Sequence, residues 1–144
     1  MFKYVHHVHY VVDDLDAMVE YLEKNFGMKP NHRRNYEAKG LKAKSKEANY
    51  DNVGQTTIQI SQPLDDTSHM GRHLKEHGPG VFHVAWGVDS VQAAAKELAA
   101  KGNKLGGKDG VGRSPRGYPT CNIDPASSLG IWFQLAEGEP TEKS

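Results

Sequence analysis

Apolar residues recur at helical spacing in two segments of the chain. Between residues 14 and 26, Asp14 is suited to cap the start of a helix and Gly27 to end it. Between residues 90 and 101 the same spacing returns, with Ser90 as the cap. Both patterns predict amphipathic helices whose apolar stripes face the core. The stripes are Leu15, Met18, Val19, Leu22 and Phe26 in the first helix, and Val91, Ala94, Ala95 and Leu98 in the second.

A strand pattern precedes each helix, VHHVHYVV in the first copy and FHVAWGVD in the second. Aligned on the helix caps, these two strands place His7 over His83. The correspondence continues in a later strand of each copy, where IQISQ matches FQLAE and Gln59 lies over Gln134. Such an internal repeat constrains the architecture before any single motif does. Each copy therefore contributes one histidine and one glutamine that can point inward.

The segments between these strands also have strand character. Lysines alternate with other residues from position 41 to position 47, which predicts a solvent-facing side for the lysines and an inward side that includes Glu47. In the second copy, residues 116–124 occupy the equivalent place. The alternating residues are Lys42, Lys44 and Lys46 against Leu41, Ala43, Ser45 and Glu47.

Each copy thus reads as a strand, a helix and three further strands, and the predicted fold class is α+β. The tandem βαβββ modules span about residues 5–62 and 81–137 of a single domain that covers residues 1–144, and GPG at residues 78–80 introduces the second module. Modules of about 70 residues are marginally stable alone, so we expect the two to pack together.

Charge and composition exclude several function classes. Lys and Arg number 18, Asp and Glu also number 18, and the chain lacks the basic footprint of a nucleic-acid-binding protein. No apolar run approaches the ~20 residues that a membrane-spanning helix requires. The single cysteine, Cys121, excludes an internal disulfide, and the N-terminal segment lacks the pattern of a signal peptide. We expect a cytoplasmic protein without nucleic-acid or membrane partners.

The histidines of the first strand divide between its two faces, because side chains alternate along a strand. His7 and His9 share one face, while His6 is predicted on the other, at the surface. Three more histidines lie in a short helical segment at the junction of the modules and are also expected at the surface. These are His69, His73 and His77.

The tandem repeat, with a histidine in the first strand of each half and a polar ligand in the last, resembles the vicinal oxygen chelate superfamily. This superfamily includes glyoxalases, bleomycin resistance proteins and extradiol dioxygenases. The resemblance covers residues 5–137, and the motifs HVHYVVDDLDA, FGM, ISQPL, FHVAWGVDS and GIWFQLAE are most similar to the methylmalonyl-CoA epimerase group. It implies a cupped mixed β-sheet, a divalent metal and a homodimer.

Four metal ligands follow from the resemblance: His7, Gln59, His83 and Gln134. Two imidazoles and two amide oxygens suit Zn, Co, Ni or Fe(II) better than Ca or Mg, and Mn is kept as a further candidate. In metal-dependent members the position of Gln134 is usually a glutamate. The alternative is that these side chains are core residues that satisfy one another's hydrogen bonds. A single ion that binds two polar side chains from each repeat is a simpler explanation than four mutually hydrogen-bonded core residues, so we predict a metal site.

Proton transfer requires a base within reach of the substrate. The candidates are His9, which shares the face of His7, and the inward-facing Glu47. The alternatives are that His9 hydrogen-bonds to a ligand or the substrate and that Glu47 is an exposed strand-end residue. In the epimerase group a base follows the glycine that matches Gly40, where the nearest residue here is Ala43.

The predicted function is a metal-dependent isomerase, epimerase or lyase that acts on a small molecule with vicinal oxygens through a metal-stabilised enolate. Arg113 and Arg116, in the loop KDGVGRSPRG, are candidates to bind a substrate carboxylate or phosphate, with an exposed basic loop as the alternative. One rival function is a non-catalytic binding protein of the antibiotic-binding type. The other is an Fe(II) dioxygenase, which requires a carboxylate ligand that the family position lacks here.

Overall fold

The computed structural model of the protein describes residues 1–34, 44–107 and 110–139, except for the side chain of Asn52. The secondary structure of these residues follows the order that the repeat predicts, and it includes the short helix expected at the junction of the copies. The elements are β1 (Tyr4–Val11), α1 (Leu15–Phe26), β2 (His32–Arg33), β3 (Ser45–Val53), β4 (Thr56–Pro63), α2 (His69–His77), β5 (Gly80–Gly87), α3 (Val91–Ala100), β6 (Gly112–Arg113), β7 (Pro119–Ile123) and β8 (Phe133–Ala136).

The chain forms two compact units. Unit 1 comprises Met1–His7 and His83–Lys143, and unit 2 comprises Val8–Phe82. The chain passes from one unit to the other within β1 and again within β5. Both units combine strands with helices, so the predicted α+β class is confirmed. The assignment of the two modules to a single domain stays a prediction.

Unit 2 is organised around an antiparallel hairpin. Its strands lie in the order β2-β3-β4-β1, and the register of β3 and β4 sets Asn49 opposite Gln59 and Glu47 opposite Ser61. Directly opposed residues share a face of a sheet, as do residues two apart along a strand. The hairpin therefore presents all four polar side chains on one face.

Helix α1 covers the apolar side of unit 2. The Asp14 carboxylate accepts a hydrogen bond from the backbone N–H of Ala17 at 3.0 Å, and Gly27 ends the helix in the left-handed region at a φ of 66°. Leu15 is fully buried, whereas Phe26 is 64% exposed. The predicted stripe is therefore wrong at Phe26, which lies in the last turn and packs against Tyr21 instead of the core. The buried core of unit 2 consists of Val12, Leu15, Ala48, Tyr50 and Ile60.

Unit 1 is organised around β8. The strand order is β1-β5-β8-β7-β6, with β8 parallel to β5 and antiparallel to β7. This register places Gln134 beside Ala85 on β5 and Asn122 on β7. Helix α3 begins at its predicted cap, where the Ser90 hydroxyl accepts from the N–H of Ala93 at 3.1 Å. The main buried cluster of unit 1 consists of Val88, Val91, Ala94, Ala95, Cys121 and Leu135.

The lysine alternation is confirmed where the structure describes it. Lys44 and Lys46 are exposed, while Ser45 and Glu47 are buried. The earlier part of this segment, with Gly40, Leu41, Lys42 and Ala43, lies outside the described residues. In the described part of the chain, no helix is both long and apolar enough to cross a membrane.

Candidate functional site

Two histidine side chains meet in unit 1. His7 lies on β1 and His83 on β5, and their Nε2 atoms are 3.1 Å apart. The two rings stand edge to face at an interplanar angle of 69°. His7 is 2% exposed and His83 is half-buried. The structure thus brings together the two histidines that the internal repeat indicates.

Gln134 adds an amide group to the histidine pair. Its Nε2 donates to Oδ1 of Asn122 at 2.9 Å, and its side chain also hydrogen-bonds to His83. Burial lowers the pKa of His83 to about 4, and the hydrogen bond with Gln134 opposes this shift only in part. His83 is therefore neutral near pH 7, which is the state that a metal requires of an imidazole ligand.

The geometry of the pair fits a single transition-metal ion. Zinc–nitrogen bonds are about 2.0–2.1 Å long, so two imidazole ligands hold their nitrogens about 3 Å apart at a right angle and about 3.4 Å apart at the tetrahedral angle. The 3.1 Å between the Nε2 atoms of His7 and His83 lies between these values, and it is also the length of a direct hydrogen bond between the two rings. Among the described residues, no three His, Cys, Asp or Glu side chains converge as a metal-binding group. In unit 1 an ion would therefore depend on the Gln134 amide as a further ligand, which gives a neutral and weakly binding set.

The prediction that His6 lies at the surface is wrong. His6 is 5% exposed, and its ring packs on Tyr118 with the centroids 4.6 Å apart. Its Nδ1 lies 2.8 Å from Nδ1 of His7, and its Nε2 lies 2.7 Å from the carbonyl oxygen of Gly138. Burial lowers the pKa of His6, the Gly138 hydrogen bond opposes the shift, and the nearby Arg116 guanidinium lowers the pKa further. The assignment to the surface failed because both faces of β1 are covered at this position.

Glu47, in unit 2, is a buried carboxylate that accepts several hydrogen bonds. It is 7% exposed, so the alternative of an exposed strand-end residue is wrong. Oε2 accepts from Nε of Arg34 at 3.2 Å and from Nδ2 of Asn49 at 3.3 Å, and Oε1 accepts from Nε2 of Gln59. The carboxylate is the acceptor in all three bonds, because guanidinium and amide N–H groups only donate. Gln59, one of the four predicted metal ligands, thus uses its amide nitrogen to hold Glu47.

Ser61 connects the two predicted catalytic side chains. Its Oγ lies 2.8 Å from Nε2 of His9 and 3.5 Å from Oε1 of Glu47. His9 is 6% exposed and Ser61 is 1% exposed. His9 and Glu47 therefore belong to one buried polar network in unit 2.

The two arginines of the glycine-rich loop differ in environment. Arg113 is exposed, and its guanidinium donates to the carbonyl of Gly117. Arg116 is 4% exposed and lies near His6 in unit 1. A buried guanidinium is the stronger candidate for an anion contact, because Coulomb attraction is larger in an environment of low dielectric constant.

Several residues of these groups escaped prediction from the sequence. Asn49 and Ser61 carry a usable signal, because each lies two positions along a strand from Glu47 or Gln59 and so shares its face. Arg34 carries none, since it follows a strand of only two residues that is too short for alternation. The residues that were not predicted are Arg34, Asn49, Ser61, Tyr118 and Gly138.

The family model of the glyoxalase/bleomycin resistance protein/dioxygenase superfamily matches residues 6–118. The chain belongs to this superfamily. The vicinal oxygen chelate resemblance that the sequence indicated is thereby confirmed. The match spans β1 through the loop before β7, and so includes His7, His9, Glu47, Gln59 and His83. No curated protein matches the sequence significantly.

Several solved structures similar to this superfamily member are methylmalonyl-CoA epimerases. The epimerase from Mycobacterium tuberculosis is 26% identical, with 96% of this chain and 90% of that chain covered at a TM-score of 0.81. An epimerase from Streptomyces coelicolor in complex with 2-nitronate-propionyl-CoA is 24% identical, with 96% and 99% covered at a TM-score of 0.79. An epimerase in complex with methylmalonyl-CoA and NH4+ is also 24% identical, with 100% of both chains covered at a TM-score of 0.81. The two similarities at 24% identity establish the fold. The similarity to the epimerase from Mycobacterium tuberculosis agrees with the epimerase group that the sequence motifs resemble.

Proposed function

We propose that the protein is a metal-dependent isomerase of the epimerase type, which removes and returns the proton on a carbon next to a carbonyl group. The observation that carries this proposal is the buried Glu47 carboxylate, which accepts hydrogen bonds from Arg34, Asn49 and Gln59. Three donors fix the orientation of this base, and fixed orientation lowers the cost of reaching a reactive geometry. The similarity to the epimerase from Mycobacterium tuberculosis supports the same reaction class.

Glu47 is the proposed base that removes the substrate proton, and His9 is the proposed acid–base group that returns it. The Ser61 hydroxyl lies between them, 2.8 Å from His9 Nε2 and 3.5 Å from Glu47 Oε1. An imidazole can both donate and accept a proton near neutral pH, which suits the step that returns the proton.

The metal is proposed to bind at the His7–His83 pair, with Gln134 as a further ligand. The 3.1 Å between the two Nε2 atoms and the neutral state of His83 support this assignment. The ligand set that the family resemblance implies also contains Gln59, which stays a prediction. When bound, a divalent ion such as Zn, Co, Ni, Mn or Fe(II) supplies Lewis acidity toward a carbonyl oxygen.

The proposed substrate is a small acyl thioester that carries a second oxygen function near the reacting carbon. Two of the similar epimerase structures hold coenzyme A thioesters of this kind. Arg116, buried in unit 1, is the proposed contact for a substrate carboxylate or phosphate, whereas the Arg113 guanidinium is exposed. The homodimer and the cytoplasmic location stay predictions.

Exchange of the substrate proton with solvent tests this proposal. Methylmalonyl-CoA is incubated with the protein and Co(II) in D2O, and the incorporation of deuterium at the α-carbon is followed by mass spectrometry. We expect Glu47→Gln to lower the exchange rate about 10²- to 10⁴-fold, because a positioned base contributes a factor of that size. Glu20→Gln, on the exposed side of α1, is the matched control and should leave the rate unchanged.

Equal exchange rates in wild type and Glu47→Gln would show that Glu47 is not the base. Absence of exchange in the wild type, together with retained binding of the thioester, would favour the non-catalytic binding protein.

A further inference from the structure

Three groups in unit 1 form a continuous hydrogen-bonded chain: the Gly138 carbonyl, the His6 ring and the His7 ring. The carbonyl oxygen lies 2.7 Å from His6 Nε2, and His6 Nδ1 lies 2.8 Å from His7 Nδ1. At its far end, His7 Nε2 lies 3.1 Å from His83 Nε2. From this chain we infer that His6 is a positioning residue, which fixes His7 in the tautomer whose Nε2 lone pair points toward His83.

The Gly138 carbonyl determines which ring nitrogen of each histidine carries the hydrogen. A carbonyl oxygen only accepts hydrogen bonds, so the nitrogen that faces it, His6 Nε2, carries the hydrogen. A neutral imidazole has one N–H, so His6 Nδ1 is an acceptor, and His7 Nδ1 must be the donor across the 2.8 Å contact. His7 then has no hydrogen on Nε2. The lone pair of this nitrogen faces His83, where the proposed function places a metal ion.

Packing holds the rings of this chain in place. The Tyr118 ring contacts both histidines, with its centroid 4.6 Å from that of His6 and 5.9 Å from that of His7. His6 and His7 are 5% and 2% exposed, so water has little access to either Nδ1 atom. The Gly138 carbonyl belongs to the backbone and cannot rotate away as a side chain does. The hydrogen-bonded groups are therefore fixed at one end by the backbone carbonyl of Gly138 and along both histidine rings by Tyr118.

The consequence for metal binding rests on the proposed function, whereas the tautomer itself does not. A metal-ligating histidine usually donates its other N–H to a carboxylate, a carbonyl or water, and loss of such a partner typically lowers metal affinity 10- to 100-fold. Here the acceptor is a second histidine, which in turn passes its own N–H to the backbone. His6 thus determines both the orientation of the His7 ring and which nitrogen is available to an ion.

The first test observes the tautomers in metal-free protein. Histidine labelled with ¹⁵N gives long-range ¹H–¹⁵N spectra at mildly alkaline pH, and His6→Phe and His7→Phe identify the two signals. We expect hydrogen on Nδ1 of His7 and on Nε2 of His6. Hydrogen on Nε2 of His7 in the wild type would overturn the inference, whether or not the protein binds metal.

The second test measures affinity for Zn(II) and Co(II) alone by competition with a chelator. We expect His6→Phe, which keeps an aromatic ring against Tyr118 but removes the acceptor, to weaken binding about 10- to 100-fold. His6→Asn keeps an oxygen near the position of Nδ1 and should restore most of the affinity. His77→Phe, at an exposed position on α2, is the control and should bind as the wild type does.

The outcomes separate the inference from the proposed function. If the wild type binds no ion, the metal-dependent function fails, and the spectra of the metal-free protein still decide the tautomer of His7. If the wild type binds metal and His6→Phe binds equally well, His6 does not position the ligand. Thermal unfolding of each variant shows whether weaker metal binding reflects a general loss of stability. If His6→Phe only destabilises the fold, His7 should keep its hydrogen on Nδ1 in the folded protein.

Discussion

The desolvation of His83, one of the proposed metal ligands, predicts how the stability of the metal-free protein changes in acid. His83 has an ordinary pKa of 6.5 when unfolded and a pKa of about 4 in the folded chain, where burial is the main cause. Below pH 6.5 the unfolded state therefore binds a proton that the folded state does not. Stability that is fully present above pH 6.5 is lost as the pH falls toward 4.

The magnitude follows from the size of the shift. The free energy of unfolding falls by about 1.4 kcal/mol for each pH unit between the two pKa values. At pH 4 it is therefore lower by about 3 kcal/mol than above pH 6.5. This is a large share of the 5–15 kcal/mol that typically stabilises a protein domain. Other carboxylates and histidines also titrate in this range, but those away from His83 contribute equally to the wild type and to a variant that lacks only His83, whereas His7 loses its contact with the His83 ring.

Urea denaturation from pH 7.5 to pH 4.5, in the presence of a chelator, measures this contribution. We expect the free energy of unfolding to fall less steeply with decreasing pH in His83→Gln than in the wild type, with a difference that approaches about 3 kcal/mol at the acid end. His77→Gln, whose side chain is 63% exposed, should follow the wild type. Parallel curves for the wild type and His83→Gln would refute the assignment of His83 as a neutral buried imidazole.

Two further predictions concern groups that hold the site and its supporting helix. Arg34→Met leaves the Glu47 carboxylate buried without its cation, and we expect it to lower the free energy of unfolding by about 3 kcal/mol. The double variant with Glu47→Gln should recover part of this loss in the same urea titration, whereas additive losses would mean that the ion pair contributes no coupling. Asp14→Ala removes the N-cap of α1 and should cost about 1 kcal/mol. A change below the error of the denaturation curves would show that the cap bond is not maintained in solution.

The repeated strand and helix order could be predicted because each copy carries its own local signals. Asp14 and Ser90 cap their helices as expected, and alignment of the caps alone brings His7 and His83 into correspondence. The inward orientation of Glu47 followed from alternation with lysines, because one face of that strand is exposed to water. Local periodicity therefore predicts the order of strands and helices and the orientation of several site residues, whereas the form of the sheet was implied only by the family resemblance.

The hydrogen-bond partners could not be predicted, because no local pattern connects residues that are distant in sequence. His6 and Gly138 are 132 positions apart, and their contact depends on the packing of β1 against the segment after β8. His6 was assigned to the surface on the assumption that β1 has one exposed face, and the assumption fails where Tyr118 covers that face. The network around Glu47 required the β3–β4 register, which only the structure provides.

The most direct test of the account is the metal content of the protein and of two variants in unit 1. Wild type, His7→Ala and His83→Ala are purified without chelator, incubated separately with Zn, Co, Ni, Mn and Fe(II), desalted and measured by elemental analysis, with circular dichroism to verify the fold. We expect one ion per chain for at least one metal in the wild type and a clear loss in both folded variants. Full retention of metal in His7→Ala and His83→Ala, or no metal in the wild type, would contradict the proposed site.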